Sequence, residues 1–473
     1  MSINGQLKLK DKIGYGVAAI GDSGSYTLIS IYLLFFLTTV VGIDPVIAGT
    51  ITAMGAVWNT LWSPVIGYFS DHTSTRFGRR VPYIFAAAFP LAIANFLLFS
   101  TIDMGGSGKI LYYIIMVIVF WSAFSGFFNP YLALGSEITG DYNERISVRA
   151  YAYIFNVIGM SLGMVLPTYI VDFLMDRGKS IQESWQLVGL FIGIITFISL
   201  MITAVTMGRK EEKKKAQGEF SVSGMFRDYW QILKLGPLRW LLVTSLIYLC
   251  ANTISSANRI YFMTYNMDMT GKEISLAMVT LLVGGILFTP IVATVSKRTD
   301  KRKAFIIFSL ISAALITYAK LSGIDSWAGL IAYFLVYSCV NTAYWQLMPA
   351  MVYDVCEVDE LYSGKRRSGI IASMQSLVES LSAAISLQLL GVMLKLAGFN
   401  GEAAVQTPTA QLWIENTLTI VAAFFIVAAA LAMGRYTVTR SKFEEVMVAL
   451  EKRRSGKALT EEDYPVFERE KSR

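Results

Sequence analysis

Residues 63–80 of the chain read SPVIGYFSDHTSTRFGRR, an apolar run that leads into a basic loop. The first eight of these residues are matched in register by residues 289–296, which read TPIVATVS. Both runs place a hydroxyl residue before a proline, followed by two branched apolar residues, a small residue and a final serine. Both also lead into basic residues. This repeat predicts that the chain consists of two similar halves.

The composition predicts a membrane protein, because 54% of the 473 residues are hydrophobic and only 16% are charged. Soluble globular proteins are about 25% charged. A membrane-spanning helix needs roughly 20 mostly apolar residues. We therefore expect an all-α polytopic protein with twelve spans, namely 13–41, 46–70, 81–100, 110–137, 147–175, 185–207, 238–267, 274–296, 303–320, 327–355, 368–397 and 411–435.

Lysine and arginine predict the orientation, because cytoplasmic loops carry an excess of both. Of the 41 such residues, 34 lie in alternate loops and in the two termini. This pattern predicts a multi-pass cell-membrane protein with both termini in the cytoplasm. It also explains the net charge of +7. Because the positive charge is divided among short loops, we expect no binding to nucleic acid.

The longest loop divides the predicted spans into two sets of six. We expect an N-terminal six-helix half over 1–207, a cytoplasmic middle loop over 208–237 and a C-terminal six-helix half over 238–435. A cytoplasmic tail follows over 436–473. Its apolar residues recur at helical spacing, which predicts one amphipathic helix beneath the bundle; these residues are Phe443, Val446, Met447 and Leu450.

The sequence argues against an enzyme and against a metal protein. The three cysteines lack metal-site spacing, and His72 is the single histidine. No phosphate-binding loop or nucleophile motif is present, and no loop is long enough for a nucleotide-binding domain. We therefore expect no catalytic residue, no metal and no cofactor.

Three charged residues fall well inside the hydrophobic stretches: Asp22, Arg259 and Glu379. The bilayer tolerates such groups only where they face protein or a water-filled cavity, and they usually mark a transport path. An alternative is that Asp22 and Glu379 pair with Arg259 and only hold the two halves together.

Several motifs together resemble one transporter family. They are GYFSDHTSTRFGRRVP at 67–82, KIGYG at 12–16, PYLAL at 130–134, DYNER at 141–145 and GKRRSG at 364–369. The chain resembles the glycoside-pentoside-hexuronide:cation symporters, which are melibiose-permease-like members of the major facilitator superfamily. This resemblance implies a major-facilitator fold of twelve transmembrane helices in two six-helix halves, with a substrate site between the halves.

The resemblance also shows where this chain departs from its family. Family members carry two acidic residues one turn apart in span two, and these residues help to bind Na⁺ or H⁺. Here the same places hold Asn59 and Ser63, and Ser125 in span four matches a hydroxyl that assists there. A neutral pair cannot take up a proton and supplies no charge to offset the dehydration of Na⁺.

The family's sugar site is altered as well. Phe128 stands where melibiose permease has an acidic residue. Tyr153 stands at or beside the position of that permease's arginine, and Glu379 lies near the position of its lysine. Trp345 matches an aromatic that lines the site, although packing against protein or lipid is an equal alternative for the aromatic residues. The expected substrate-binding residues are Asp22, Tyr26, Phe128, Tyr153, Arg259, Trp345, Gln375 and Glu379.

Charged loop residues predict a cytoplasmic gate, in which charge pairs close the inner side and break when it opens. The expected members are Asp71, Arg79, Arg80, Glu144 and Arg145. An equally simple role is to set the membrane topology.

We therefore expect a secondary transporter that moves a small hydroxylated solute, a glycoside, sugar or sugar acid, by alternating access. Three mechanisms remain open: H⁺ symport through Asp22 or Glu379, uncoupled facilitation or exchange, and transport of a non-sugar organic anion held by Arg259. A non-transporting sensor is a remote alternative. We expect H⁺ rather than Na⁺ as the coupling ion. The expected partners are the solute and the lipid bilayer, and the expected state is a monomer.

Overall fold

The computed structural model describes residues 7–73, 75, 77–138, 142–208, 230, 232–364 and 367–455. Within these residues the regular structure is helical, and the only β-type pairing is an isolated bridge between Thr75 and Gly78. The predicted all-α class is therefore confirmed. Most of the predicted middle loop over 208–237 lies outside the described residues.

Within this part of the chain, twelve long helices match the predicted spans, and a thirteenth comes after them. Their bounds are α1 Leu9–Val40, α2 Pro45–His72, α3 Val81–Leu98, α4 Gly106–Glu137, α5 Tyr142–Met175, α6 Ile181–Met207, α7 Gly236–Asn266, α8 Gly271–Arg298, α9 Lys301–Ser322, α10 Trp327–Ser363, α11 Ser368–Leu396, α12 Pro408–Met433 and α13 Arg440–Arg454. Single π-helical turns end α1 and α7, and another lies within α12.

Among the described residues, 10 helices are long and apolar enough to cross a membrane. The helices α2 and α10 are not among them, although they have 28 and 37 residues and match the predicted spans 46–70 and 327–355. Each contains an internal proline and many polar side chains, which lower its mean hydropathy. A helix that lines a polar path is expected to have this composition.

The repeated sequence occupies equivalent places in the fold. Pro64 lies inside α2 and Pro290 inside α8, each at the same distance from the first residue of its helix. An internal proline removes one helical hydrogen bond, which neighbouring groups can re-satisfy in a membrane helix. The match in position supports the interpretation of the two runs as a structural repeat.

Contacts between Cα atoms group the chain into two compact units. Unit 1 comprises Met1–Phe220, Ser256–Val279 and Leu387–Ile414, and unit 2 comprises Ser221–Ser255, Thr280–Ser386 and Glu415–Arg473. Unit 1 thus includes the last turns of α7 and α11 and the first turns of α8 and α12. These ends are the ones that lie away from the basic loops. The division into six-helix halves, which follows chain order, stays a prediction.

Glycines allow helix backbones in unit 1 to approach each other closely. A Cβ atom on Gly49 of α2 would lie 2.9 Å from the carbonyl oxygen of Leu387 in α11. A Cβ on Gly391 would overlap the carbonyl oxygen of Pro45, and one on Gly271 would overlap that of Thr168. Small residues are the usual means of close helix contact in membranes. The α2–α11 and α5–α8 crossings therefore have no room for a methyl group.

Polar contacts accompany these crossings. The hydroxyl of Thr168 in α5 lies 2.8 Å from that of Ser275 in α8. At the ends of α11 and α2, Nζ of Lys395 in the last turn of α11 lies 3.0 Å from Oδ2 of Asp44, which precedes α2. Burial alone would raise the pKa of Asp44, but Lys395 and two backbone N–H groups outweigh it and hold that pKa below its usual value. This ion pair is therefore formed at neutral pH.

The predicted tail helix is confirmed as α13, in which Val446, Ala449 and Leu450 are buried. It packs on α10, within unit 2. There Arg454 Nη2 donates to Glu357 Oε2 at 2.9 Å and to Glu360 Oε2 at 2.8 Å. These are exposed ion pairs, so apolar burial contributes more to the attachment than charge does.

We expect Gly391→Ala to lower the thermal unfolding temperature of the purified protein. Overpacking at a close contact costs about 1–3 kcal/mol, which exceeds the gain of about 1 kcal/mol when alanine replaces glycine in a helix. The matched control is Gly67→Ala on α2, because a Cβ there would meet nothing within 4 Å. Equal unfolding temperatures for the two variants would show that the α2–α11 crossing tolerates a side chain.

Candidate functional site

Asp22 and Tyr26 share one face of α1, because they are separated by one helical turn. Asp22 is buried, with 8% of its surface exposed, whereas Tyr26 is 47% exposed. Among the described residues, Asp22 forms no salt bridge, so pairing of Asp22 with Arg259 is not seen. A role of Asp22 in transport stays a prediction.

The structure brings Tyr26 close to Phe128 through ring contacts. Tyr26 lies 6.0 Å from both Trp121 and Phe124, and Phe124 stacks on Phe128 at 5.6 Å, measured between ring centroids. Tyr153, on α5, is 69% exposed. Two of the predicted aromatic residues therefore belong to one cluster in unit 1.

Arg259 lies near the end of α7 that belongs to unit 1, and only 4% of its surface is exposed. Its Nη2 donates to Ser256 Oγ at 3.4 Å. Two residues further on, the buried Tyr261 shares a hydrogen bond of 2.6 Å with Thr38 of α1. Arg259 is thus next to the contact between α7 and α1. Its contact with substrate stays a prediction.

Gln375 is the centre of a polar cluster in unit 2. Its Nε2 lies 3.2 Å from Ser245 Oγ, 3.2 Å from Tyr344 Oη and 3.5 Å from Glu379 Oε1. Gln375 and Glu379 lie four residues apart, a spacing that places them on one face of α11, but the sequence did not identify Ser245 or Tyr344. These two belong to α7 and α10, and nothing in their local sequence indicates the contact.

Tyr344 also supports the predicted aromatic residue Trp345. The Trp345 ring meets Tyr344 edge-on at 5.3 Å and is 49% exposed. Tyr344 stacks on Tyr248 at 4.2 Å, and the Tyr248 hydroxyl lies 3.4 Å from Asn341 Oδ1. Trp345 is therefore half exposed and contacts Tyr344, which in turn hydrogen-bonds with Gln375.

Three residues stand at the positions of the family's cation site and contact one another, as the resemblance implied: Asn59, Ser63 and Ser125. Ser125 donates to Asn59 Oδ1 at 2.6 Å and lies 3.3 Å from the hydroxyl of Ser63. Asn129, which the sequence analysis did not single out, donates to the backbone oxygens of Ser63 and Ser125. These four residues include no carboxylate. The side chains of Asn59, Ser63 and Ser125 hydrogen-bond with one another, and that of Asn129 bonds to the backbone. Nothing in this set offsets the cost of dehydrating Na⁺.

The structure gives partners for two of the predicted gate residues, Arg80 and Glu144. Arg80 is buried and donates to Ser70 Oγ at 2.7 Å, and Arg79 is half-buried. Glu144 Oε2 lies 3.0 Å from Lys12 Nζ, so it connects α5 to the start of α1. The side chains of Asp71 and Arg145 lie outside the described residues, and the gate stays a prediction.

Residues 14–440 match the family model described as MFS/sugar transport protein. The chain belongs to this family. It is 25% identical over 469 residues to the inner membrane symporter YicJ of Escherichia coli K12, covering 97% of this chain and 98% of that protein. It is 24% identical over 459 residues to the glucuronide carrier protein homolog of the same organism, covering 96% and 97%.

Solved structures support the same fold. The crystal structure of the nucleoside transporter NupG superposes with a TM-score of 0.63 at 11% identity, covering 90% of this chain and 98% of that one. The major-facilitator fold and the resemblance to glycoside-pentoside-hexuronide symporters are therefore confirmed. The chain is a multi-pass membrane transporter and not an enzyme.

We expect Na⁺ to leave the thermal unfolding temperature unchanged relative to choline at the same ionic strength. A cation that binds the folded state would raise that temperature with concentration, and the neutral Asn59–Ser63–Ser125 cluster lacks the charge to bind one. The measurement needs only the purified protein in detergent. A saturable, Na⁺-specific rise in the wild-type protein would contradict this prediction. In the Asn59→Asp, Ser63→Asp double variant, such a rise is expected if the remaining ligands are in place.

Proposed function

We propose that this family member is a secondary transporter for a small hydroxylated solute, a glycoside, sugar or sugar acid, which it moves across the cell membrane by alternating access. Its termini lie in the cytoplasm, as the distribution of lysine and arginine indicates. The proposal is supported by the family and by the two bacterial relatives, one called a symporter and the other a glucuronide carrier homolog.

One observation carries the proposal: Tyr344 links the half-exposed ring of Trp345 to a hydrogen-bonding cluster that contains Gln375 and Glu379. A sugar ring has apolar C–H faces and a rim of hydroxyl groups. A flat aromatic ring suits the faces, whereas a carboxylate and an amide can accept from and donate to the hydroxyls. This cluster therefore has both of the functions that recognition of a sugar needs.

We propose H⁺ as the coupling ion, with Asp22 or Glu379 as its carrier. These are the acidic residues that lie well inside the hydrophobic stretches, and the span-two positions used for cations in the family are neutral here. A carboxyl group can take up and release a proton, whereas Asn59 and Ser63 cannot. Uncoupled facilitation or exchange is the alternative.

The proton-carrier proposal is tested with Glu379→Gln and Asp22→Asn in proteoliposomes. A panel of radiolabelled sugars, glycosides and sugar acids is offered with and without a pH gradient. In the variant of the true carrier we expect solute exchange to persist and accumulation driven by the gradient to be lost. Glu445→Gln, at an exposed position of α13, is the control and should accumulate solute as the wild type does.

If both carboxyl variants accumulate solute normally, neither residue carries the coupling proton. If the wild type exchanges solute but ignores the gradient, the protein is a facilitator or exchanger. If no compound of the panel moves, the proposed solute class is wrong.

Arg259 favours a sugar acid within this solute class. A guanidinium group binds a carboxylate through two parallel hydrogen bonds, and lysine keeps the charge but loses this geometry. We therefore expect Arg259→Lys to fold normally but to bind a sugar acid about tenfold more weakly, which corresponds to about 1.4 kcal/mol.

The measurements for this variant are calorimetric affinity and unfolding temperature in detergent. The corresponding neutral sugar serves as the control ligand, because its affinity should change less. Unchanged affinity for the sugar acid in a well-folded Arg259→Lys protein would remove Arg259 from the site.

A further inference from the structure

The polar cluster in unit 2 has two buried members, Ser245 and Tyr344, which we call the enclosed pair. Its other two members, Gln375 and Glu379, are partly exposed. Ser245 is 0% exposed and Tyr344 is 1% exposed. Gln375 and Glu379 are half-buried and have surface available to a solute. The enclosed pair cannot meet a solute itself, so any effect it has on recognition must pass through Gln375.

The enclosed pair has fixed positions. Tyr344 stacks on Tyr248 with ring centroids 4.2 Å apart and planes 16° apart, and the edge of Phe305 meets it at 6.4 Å. Tyr248 is itself anchored through its hydroxyl to Asn341. The Tyr344 hydroxyl therefore cannot leave Gln375 unless this packed group of rings rearranges.

Gln375 is held at both ends of its amide. Ser245 Oγ lies 3.3 Å from Oε1 and 3.2 Å from Nε2, and Tyr344 Oη lies 3.2 Å from Nε2. A glutamine amide can donate two hydrogen bonds and accept two. Nε2 has two N–H groups for three nearby acceptors, so it donates to two of Ser245 Oγ, Tyr344 Oη and Glu379 Oε1, of which Glu379 is the most distant at 3.5 Å. The amide and the carboxyl group are thereby oriented before a solute arrives.

We infer that Tyr344 and Ser245 are positioning residues for solute recognition, which hold Gln375 and, through it, Glu379 in the orientation that meets the solute's hydroxyl groups. The inference rests on the proposed function, because it requires a hydroxylated solute at this cluster. An unrestrained glutamine and glutamate would lose rotamer freedom on binding, and preorganisation removes that cost. The enclosed pair therefore sets affinity without touching the solute.

The test compares Tyr344→Phe with Tyr333→Phe in the full-length protein. Both changes remove one hydroxyl from a buried tyrosine of α10, but Tyr333 donates to the backbone oxygen of Leu418 and lies outside the cluster. The ligands are the methyl glycosides of glucose, galactose, xylose and glucuronic acid, measured by calorimetry alongside the unfolding temperature. We expect Tyr344→Phe to weaken binding about tenfold, whereas Tyr333→Phe stays within about twofold of the wild type.

Variants of Ser245 provide a second test of the inference. Ser245→Ala should weaken binding as Tyr344→Phe does, and Ser245→Thr, which keeps the hydroxyl group, should restore part of the affinity. In a Gln375→Ala background, Tyr344→Phe should cause no further loss, because the residue through which it acts is absent. A purely structural role would instead lower the unfolding temperature and add its full effect in that background.

The outcomes separate the inference from the proposed function. If the wild type binds a glycoside and Tyr344→Phe binds it as Tyr333→Phe does, the inference is wrong and the proposed function stands. The inference is also wrong, with the proposed function intact, if Tyr344→Phe loses affinity equally with and without Gln375. If the wild type binds none of the four glycosides and transports no compound of the panel, both are wrong.

Discussion

The close approach of helix backbones at glycine residues is the constraint on which the architecture of unit 1 depends. At Gly49, Gly391 and Gly271 a side chain would meet the backbone of the facing helix. Without these glycines, α2 could not pack on α11, nor α5 on α8, at their present distance. Segments from the second part of the chain thereby belong to the same compact unit as its first 220 residues. Van der Waals packing replaces the hydrophobic effect as the attraction between helices in lipid.

Polar groups at depth in the membrane follow a second constraint, since each must find a partner within the protein. The Asn59–Ser63–Ser125 cluster does so with neutral groups alone, and it holds itself together through short hydrogen bonds. The cluster around Gln375 instead includes a carboxyl group that retains exposed surface. The acidic residues that the family carries in α2 are absent here, whereas acidic residues are present in α1 and α11. This distribution is why we propose proton coupling at Asp22 or Glu379.

The recognition that we propose in unit 2 depends on layers of contacts rather than on one residue. Tyr248 supports Tyr344, which in turn contacts both Gln375 and Trp345. In the proposed site the outermost side chains meet the solute, and the inner ones limit how those side chains can move. A rigid inner layer is what gives a binding group on a helix its fixed direction. The same rings pack the helices α7 and α10 against each other, so the contacts that we propose for recognition also contribute to stability.

The sequence by itself determined the helices, the internal repeat, the tail helix and the pairs that lie one turn apart on one helix, such as Gln375 with Glu379. These features follow from local periodicity, which the backbone geometry converts directly into a shared face. Three features are visible only in the tertiary structure. Ser245 and Tyr344 contact Gln375, and Asn129 belongs to the neutral cluster. Among the described residues, Asp22 has no ionic partner. Such contacts join helices far apart in the chain and depend on the rotation and tilt of each helix, which packing sets and periodicity does not record.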